Sequence, residues 1–215
     1  MANTNRPETP QAAWDALVEG NKHFVSGSPA HPRQDIERRE ALAAKQIPFA
    51  ALFGCSDSRL SAEIIFDVGL GDLFVVRNAG QVIAETIIGS LEFSVEVLKV
   101  PLILVLGHDE CGAIRATIDA SEGTLKSEGE FIHNLVERIR PTVDAANAAG
   151  KFEIDEITEL HVQDTINELL TRSSLIANAV KAGKLAVVGA NYKLALGEIH
   201  PIVIVGDIKD RKSVV

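Results

Sequence analysis

The stretch Leu102–Cys111, LILVLGHDEC, decides how this chain folds. Leu102 to Gly107 carry no charge, and a histidine and a cysteine then stand three apart. Continuous rather than alternating hydrophobicity marks a strand covered on both faces, as in a parallel sheet. Three more runs share that character: FAALFG (Phe49–Gly54), LFVV (Leu73–Val76) and LAVVGA (Leu185–Ala190). Helical patterns separate them. Within Glu85–Leu98, Ile87, Ile88, Leu91, Val95 and Leu98 share one stripe, and Phe131, Ile132, Leu135, Val136 and Ile139 repeat the arrangement. Strands alternating with helices predict an α/β fold, a parallel sheet of about four strands flanked by helices through right-handed crossovers. IVIV (Ile202–Val205) adds a C-terminal edge strand.

With 215 residues, 46% apolar and 24% charged, the chain reads as a single soluble globular domain over 1–215. A net charge of -9 disfavours a nucleic-acid partner, which needs clustered Lys and Arg. No uncharged run approaches the ~18 apolar residues that cross a membrane. The polar start lacks a signal core, and two cysteines are too few for a disulfide framework, so a cytoplasmic location is expected. Thr9 and Pro10 form a helix start, and Trp14, Leu17, Val18, Phe24 and Val25 keep helical spacing up to Gly27. GSPAHPRQ (Gly27–Gln34) crosses irregularly before DIERREALAAK resumes a helical pattern. Residues 1–46 therefore read as a helical arm. Its Trp14 face has no evident seat on the sheet and is assigned to a partner subunit, leaving 47–215 as the α/β core.

In parallel α/β sheets, ligands gather beyond the carboxyl ends of the strands. Cys55 and His108 each directly follow a strand run, and the 52 residues between them accommodate a strand, a helix and a third strand. One buried cysteine is ordinary core. Two, with a histidine three residues from the second, make a Cys55, His108, Cys111 set of the kind zinc takes, with a fourth position left for water. Asp57, two residues from Cys55, is a candidate for that fourth position. It and Arg59 have a second reading: a carboxylate beside zinc accepts a hydrogen bond from metal-bound hydroxide and aims it, while the guanidinium fixes the carboxylate and keeps it ionised. An exposed turn ion pair, worth at most ~1 kcal/mol, would have no reason to adjoin the cysteine. His23, His31, His133, His161 and His200 lack a partner cysteine and read as surface or helix-packing residues. GLGDLF (Gly69–Phe74) lacks a third glycine and precedes a strand, so it is a turn rather than a dinucleotide loop. A phosphatase-type thiolate loop needs five residues between cysteine and arginine, and Cys55 and Arg59 are separated by three.

CSDSR (Cys55–Arg59) and HDECG (His108–Gly112), with RNAG (Arg77–Gly80) between and HPRQ (His31–Gln34) before, resemble the paired signature of the β-class carbonic anhydrases. The resemblance implies zinc held by Cys55, His108 and Cys111, with Asp57 and Arg59 as the catalytic dyad. It also implies Gln34 reaching substrate from a partner subunit, and Phe74, Ala79, Phe93 and Gly112 lining an apolar carbon dioxide pocket. The assembly would be a homodimer or homotetramer. The implied reaction is reversible hydration of carbon dioxide to bicarbonate and a proton by zinc-bound hydroxide. Zinc lowers the pKa of bound water from ~15.7 to ~7, values that belong to the three-histidine carbonic anhydrases themselves. Two thiolates make this metal a weaker acid, so an alkaline optimum is expected. A related hydrolase of carbon disulfide or carbonyl sulfide, or a noncatalytic zinc or bicarbonate-binding module, are the alternatives. Leu52 replaces the tryptophan associated with bicarbonate regulation, although Arg77 and Tyr192 remain.

Overall fold

The structure, a computed structural model, describes residues 6–209. Five strands, β1 (Ala50–Cys55), β2 (Leu73–Asn78), β3 (Leu102–His108), β4 (Ala186–Lys193) and β5 (Glu198–Val205), form one sheet in the order β2-β1-β3-β4-β5. The first four are mutually parallel, as the apolar runs predict, and β5 is an edge strand that runs antiparallel to β4. Register positions the site. Cys55 pairs with Asn78 across to β2. Gly54 pairs with Leu106, which puts Cys55 level with Gly107 and His108 one residue further out.

Period-two alternation sends Leu52, Leu104 and Ala190 to one face, under α1 (Pro10–Val25) and the short α3 (Ala62–Ile65). Phe53, Val105 and Val187 point the other way, under α4 (Glu85–Glu96), α7 (Ile154–Arg172) and α8 (Ser174–Lys181). The helices α5 (Gly112–Ser121) and α6 (Glu130–Ala148) pack on each other beyond the carboxyl edge, where Ile114, Ile139 and Val143 join Cys55 and Cys111 in a third cluster. α2 (Ile36–Leu42) buries no side chain. Among the described residues, no helix is long and apolar enough to cross a membrane.

Three expectations change. Thr9 caps α1, accepting from the Ala12 N–H at 3.2 Å, but the helix lies on its own sheet rather than on a partner. Trp14 and Leu17 are buried within the chain, and the Asn21 side chain donates to Ile65 O and Gly197 O and accepts from Ile199 N. A Cβ on Gly20 would meet Phe66 O at 1.8 Å, so the helix sits against α3 at backbone contact. The physical reason is cover: four residues of α3 cannot shield a sheet face, and α1 supplies the missing layer. Secondly, β2 is an edge strand and only Val76 of its six residues is buried, with Val75 exposed. Finally, Phe131 and Ile132 are exposed, so the buried stripe of α6 starts further along, at Val136.

Replacing Trp14 with alanine should therefore cost about 3–5 kcal/mol of unfolding free energy. Urea denaturation should give the same loss at every protein concentration, since the contact is made within one chain.

Candidate metal centre

Cys55 ends β1, His108 ends β3, and Cys111 is the N-cap residue of α5. Parallel pairing carries two of these residues to one edge, and the tight loop through Glu110, at φ +51°, turns the third back toward them. One ligand atom from each of the three residues falls within 4.8 Å of the others, and all three residues are buried. His108 Nδ1 is 2.7 Å from Asp109 O, and because a carbonyl only accepts, that nitrogen carries the proton. Asp109 is itself anchored, its N–H donating to Tyr192 O and its carboxylate accepting from Leu194 N. His108 Nε2 is thus left as a bare lone pair, buried and without a hydrogen-bond partner. Two sulfurs and an imidazole nitrogen with no other claimant among the described residues fit zinc.

A short turn completes the cradle. Ala79–Gln81 forms one 3₁₀ turn with Gly80 at φ +72°, and the Gly80 N–H donates to Cys55 Sγ at 3.3 Å. A Cβ on Gly80 would meet Ala113 Cβ at 2.8 Å and Ile139 Cδ1 at 2.9 Å, so conformation and space both require glycine here. Asn78 clasps the turn, donating from Nδ2 to Val82 O at 2.8 Å and accepting the Val82 N–H at 3.0 Å.

These contacts set the charges. Contact with Cys111 draws the Cys55 thiol well down, and the adjacent His108 ring and the Gly80 and Asp57 N–H groups add to it against the cost of burial. The same contact with Cys55, together with burial, pushes the Cys111 thiol far up. Burial works against a charged His108, but its closeness to the Cys55 sulfur and the charge there outweigh that and raise it. Without metal the pair of sulfurs therefore shares one proton, carried on Cys111.

Asp57 lies beside this cluster, its Oδ2 3.9 Å from His108 Nε2. Arg59 grips it through three N–H groups: backbone N and Nε to Oδ1, each at 2.9 Å, and Nη2 to Oδ2 at 2.7 Å. That grip holds the Asp57 carboxyl well below the usual carboxylate range. Arg77 fixes the intervening loop, donating to Cys55 O at 2.8 Å and Asp57 O at 2.6 Å.

Other residues singled out in the sequence lie elsewhere. Ala79 and Gly112 flank the cradle and are exposed. Phe74 and Phe93 pair with each other, ring centroids 6.1 Å apart. Phe74 stands four residues before Asn78, the partner of Cys55, so the aromatic pair is about 13 Å along the strand from the sulfur and does not border the cluster within its own chain. Gln34 is exposed and follows Arg33, whose guanidinium holds Asp72 at the amino edge of β2. One full strand length, about 20 Å, separates it from the metal cluster of its own chain. Leu52 is core, and Tyr192 is buried next to His108 in the register. Sequence reasoning missed the Gly80 N–H and the Asp109 carbonyl, because backbone groups carry no residue signature; the Asn-Ala-Gly turn after a strand was the available hint.

A mostly parallel α/β sheet with a buried two-sulfur, one-imidazole cluster beyond its carboxyl edge defines a metalloprotein of the α/β class. The family profile described as carbonic anhydrase matches residues 50–199. The carbonic anhydrase of Mycolicibacterium smegmatis is 49% identical over 209 residues, 97% of this chain and 98% of that one. Carbonic anhydrase 2 of Mycobacterium tuberculosis is 50% identical over 195 residues, covering 90% and 91%. The solved structure of the Coccomyxa β-carbonic anhydrase in complex with acetazolamide superposes with a TM-score of 0.69 at 25% identity, covering 88% of this chain and 87% of that one. The chain belongs to the β class of carbonic anhydrases, enzymes that use zinc to hydrate carbon dioxide.

Zinc added to the metal-free protein should expel on the order of one to two protons, from Cys111 and from the fraction of His108 that is charged. Calorimetry in buffers of differing ionisation enthalpy should show this, with apparent affinity falling as pH is lowered.

Proposed function

We propose that Cys55, His108 and Cys111 hold the zinc and that Asp57, fixed by Arg59, orients the attacking water in the reaction CO₂ + H₂O → HCO₃⁻ + H⁺. Zinc supplies Lewis acidity that makes a water nucleophilic near neutral pH. The chain's part is orientation. The observation that carries this reading is the placement of Asp57 Oδ2 3.9 Å from His108 Nε2 while Arg59 holds both carboxylate oxygens. An ionised carboxylate only accepts, so it takes the proton side of the nucleophile and leaves the lone pair facing substrate. Its depressed pKa keeps it ionised through the working pH range, so acidification does not act by protonating Asp57. Because Arg59 occupies Asp57, this geometry is the open one, and ligation of zinc by Asp57 requires that grip to loosen.

Ala79 and Gly112, both small, border the place where an apolar gas would approach. Phe74 and Phe93 reach a metal centre only across a subunit boundary. The same holds for Gln34, whose position at the far sheet edge supports a homodimer as the smallest active unit, with a tetramer as its pairing. Two free thiols in the ligand set favour a reducing, cytoplasmic setting.

Stopped-flow carbon dioxide hydration, with zinc content measured on the same samples, tests the reading. Asp57→Asn and Arg59→Ala should each lower kcat/KM by about 10²-fold with zinc retained, and wild-type rates should climb toward alkaline pH. A zinc-replete Asp57→Asn protein at the wild-type rate would rule out the orienting role. Gln34→Ala should reduce kcat/KM without changing zinc content if the partner subunit completes the site.

A further inference from the structure

We propose that His161 is a positioning residue for the metal centre: its hydrogen bond to Gly80 holds the Gly80 N–H on the Cys55 sulfur and so sets how much charge that sulfur gives the metal. The inference rests on the zinc reading above and concerns a residue on α7, remote in sequence from both motifs.

His161 Nε2 lies 2.7 Å from Gly80 O, a contact buried on both sides. A carbonyl can only accept, so Nε2 carries the hydrogen. Gly80 is thereby pinned at both of its peptide groups, its carbonyl by His161 and its N–H by Cys55 Sγ at 3.3 Å. The pinned backbone is one that does not hold itself. Gly80 at φ +72° is followed by Gln81 at φ +39°, and left-handed geometry at a residue with a side chain persists only where its surroundings over-determine it. Asn78 fixes the two ends of the turn through Val82, but makes no bond to Gly80 itself. His161 does.

A structural role alone accounts poorly for an imidazole here. His161 is 5% exposed, and of its neighbours Thr158 and Thr165 satisfy their hydroxyls within α7 while Val162 is apolar. An apolar side chain would fill the space without burying a polar ring. Burial also lowers the His161 pKa, so the ring is neutral and its one proton is committed to Gly80. His161 also lines a cleft of about 250 Å³ with Glu137, Arg138, Thr142, Asp164 and Glu168. A hydrogen bond from an amide to a metal-bound thiolate withdraws charge from sulfur and leaves the metal the stronger acid. Letting the Gly80 peptide rotate removes that withdrawal without touching a ligand.

Cobalt substitution reads the effect directly, since the thiolate-to-cobalt charge-transfer band reports charge on sulfur. Relative to wild type, His161→Leu should shift that band to longer wavelength and weaken zinc binding, measured by chelator competition, roughly ten- to a hundredfold. His161→Gln, whose side-chain amide can still donate to Gly80 O, should restore both. Should the leucine variant not fold, His161→Asn, polar but one methylene too short, takes its place. Independently of any variant, the wild-type protein loaded with ¹¹³Cd and labelled with ¹⁵N should show scalar coupling between cadmium and the Gly80 amide proton through Cys55 Sγ. Absence of that coupling, or a charge-transfer band unmoved by removing the His161 donor, overturns the inference alone. A wild-type protein with no thiolate charge-transfer band at all on cobalt loading overturns the zinc assignment and this inference with it.

Discussion

Two sulfurs and an imidazole packed within 4.8 Å of one another and buried from water cannot all adopt their ligand forms without a cation between them. That electrostatic constraint organises the carboxyl edge of the sheet. In the metal-free chain it is met by a shared proton, with Cys55 drawn to thiolate and Cys111 held as thiol. The positive end of α5 starts at Cys111 and lessens the cost of a second negative sulfur once a metal arrives. Every support found around the cluster serves this arrangement: Asp109 commits one nitrogen of His108, Gly80 donates to one sulfur, and Arg77 ties the carbonyls of Cys55 and Asp57 in place.

The Asp57–Arg59 pair shows why counting ion pairs would mislead. The side chain of Arg59 is 50% exposed, and such a pair contributes at most about 1 kcal/mol to stability. Its value is geometric. Three N–H groups from one residue, one of them backbone, leave the carboxylate a single orientation, and that orientation turns an oxygen toward His108. A salt bridge of little energetic weight thus fixes the direction of one carboxylate oxygen beside the cluster.

The sequence made legible what depends on composition along one element. The interior strands were visible because burial on both faces leaves an uninterrupted apolar run, and β5 was visible as IVIV. The edge strand β2 reads in the sequence as buried on both faces, since the four residues of LFVV do not reveal whether a neighbour covers the outer side. The amphipathic pattern of α1 disclosed an apolar face but not which surface receives it. α7 went unnoticed because its buried side mixes Thr158, His161 and Thr165 with Ile157, Val162 and Ile166, blurring the stripe. For the site, Cys55, His108 and Cys111 were readable from spacing. Gly80 was not, being a backbone donor, nor was His161, whose role exists only after α7 has docked on the turn that follows β2.

Asn21 joins α1 to the β4–β5 hairpin through Gly197 and Ile199, contacts that span 176 and 178 positions of the chain. Such closure of first against last makes completion of the sheet a late event in biosynthesis. The apolar face of α1 rests on β1, β3 and α3, and its seat is complete only when the β4–β5 hairpin is added. Folding accordingly waits on contacts of very high sequence separation, and the sheet closes last at the β4–β5 hairpin.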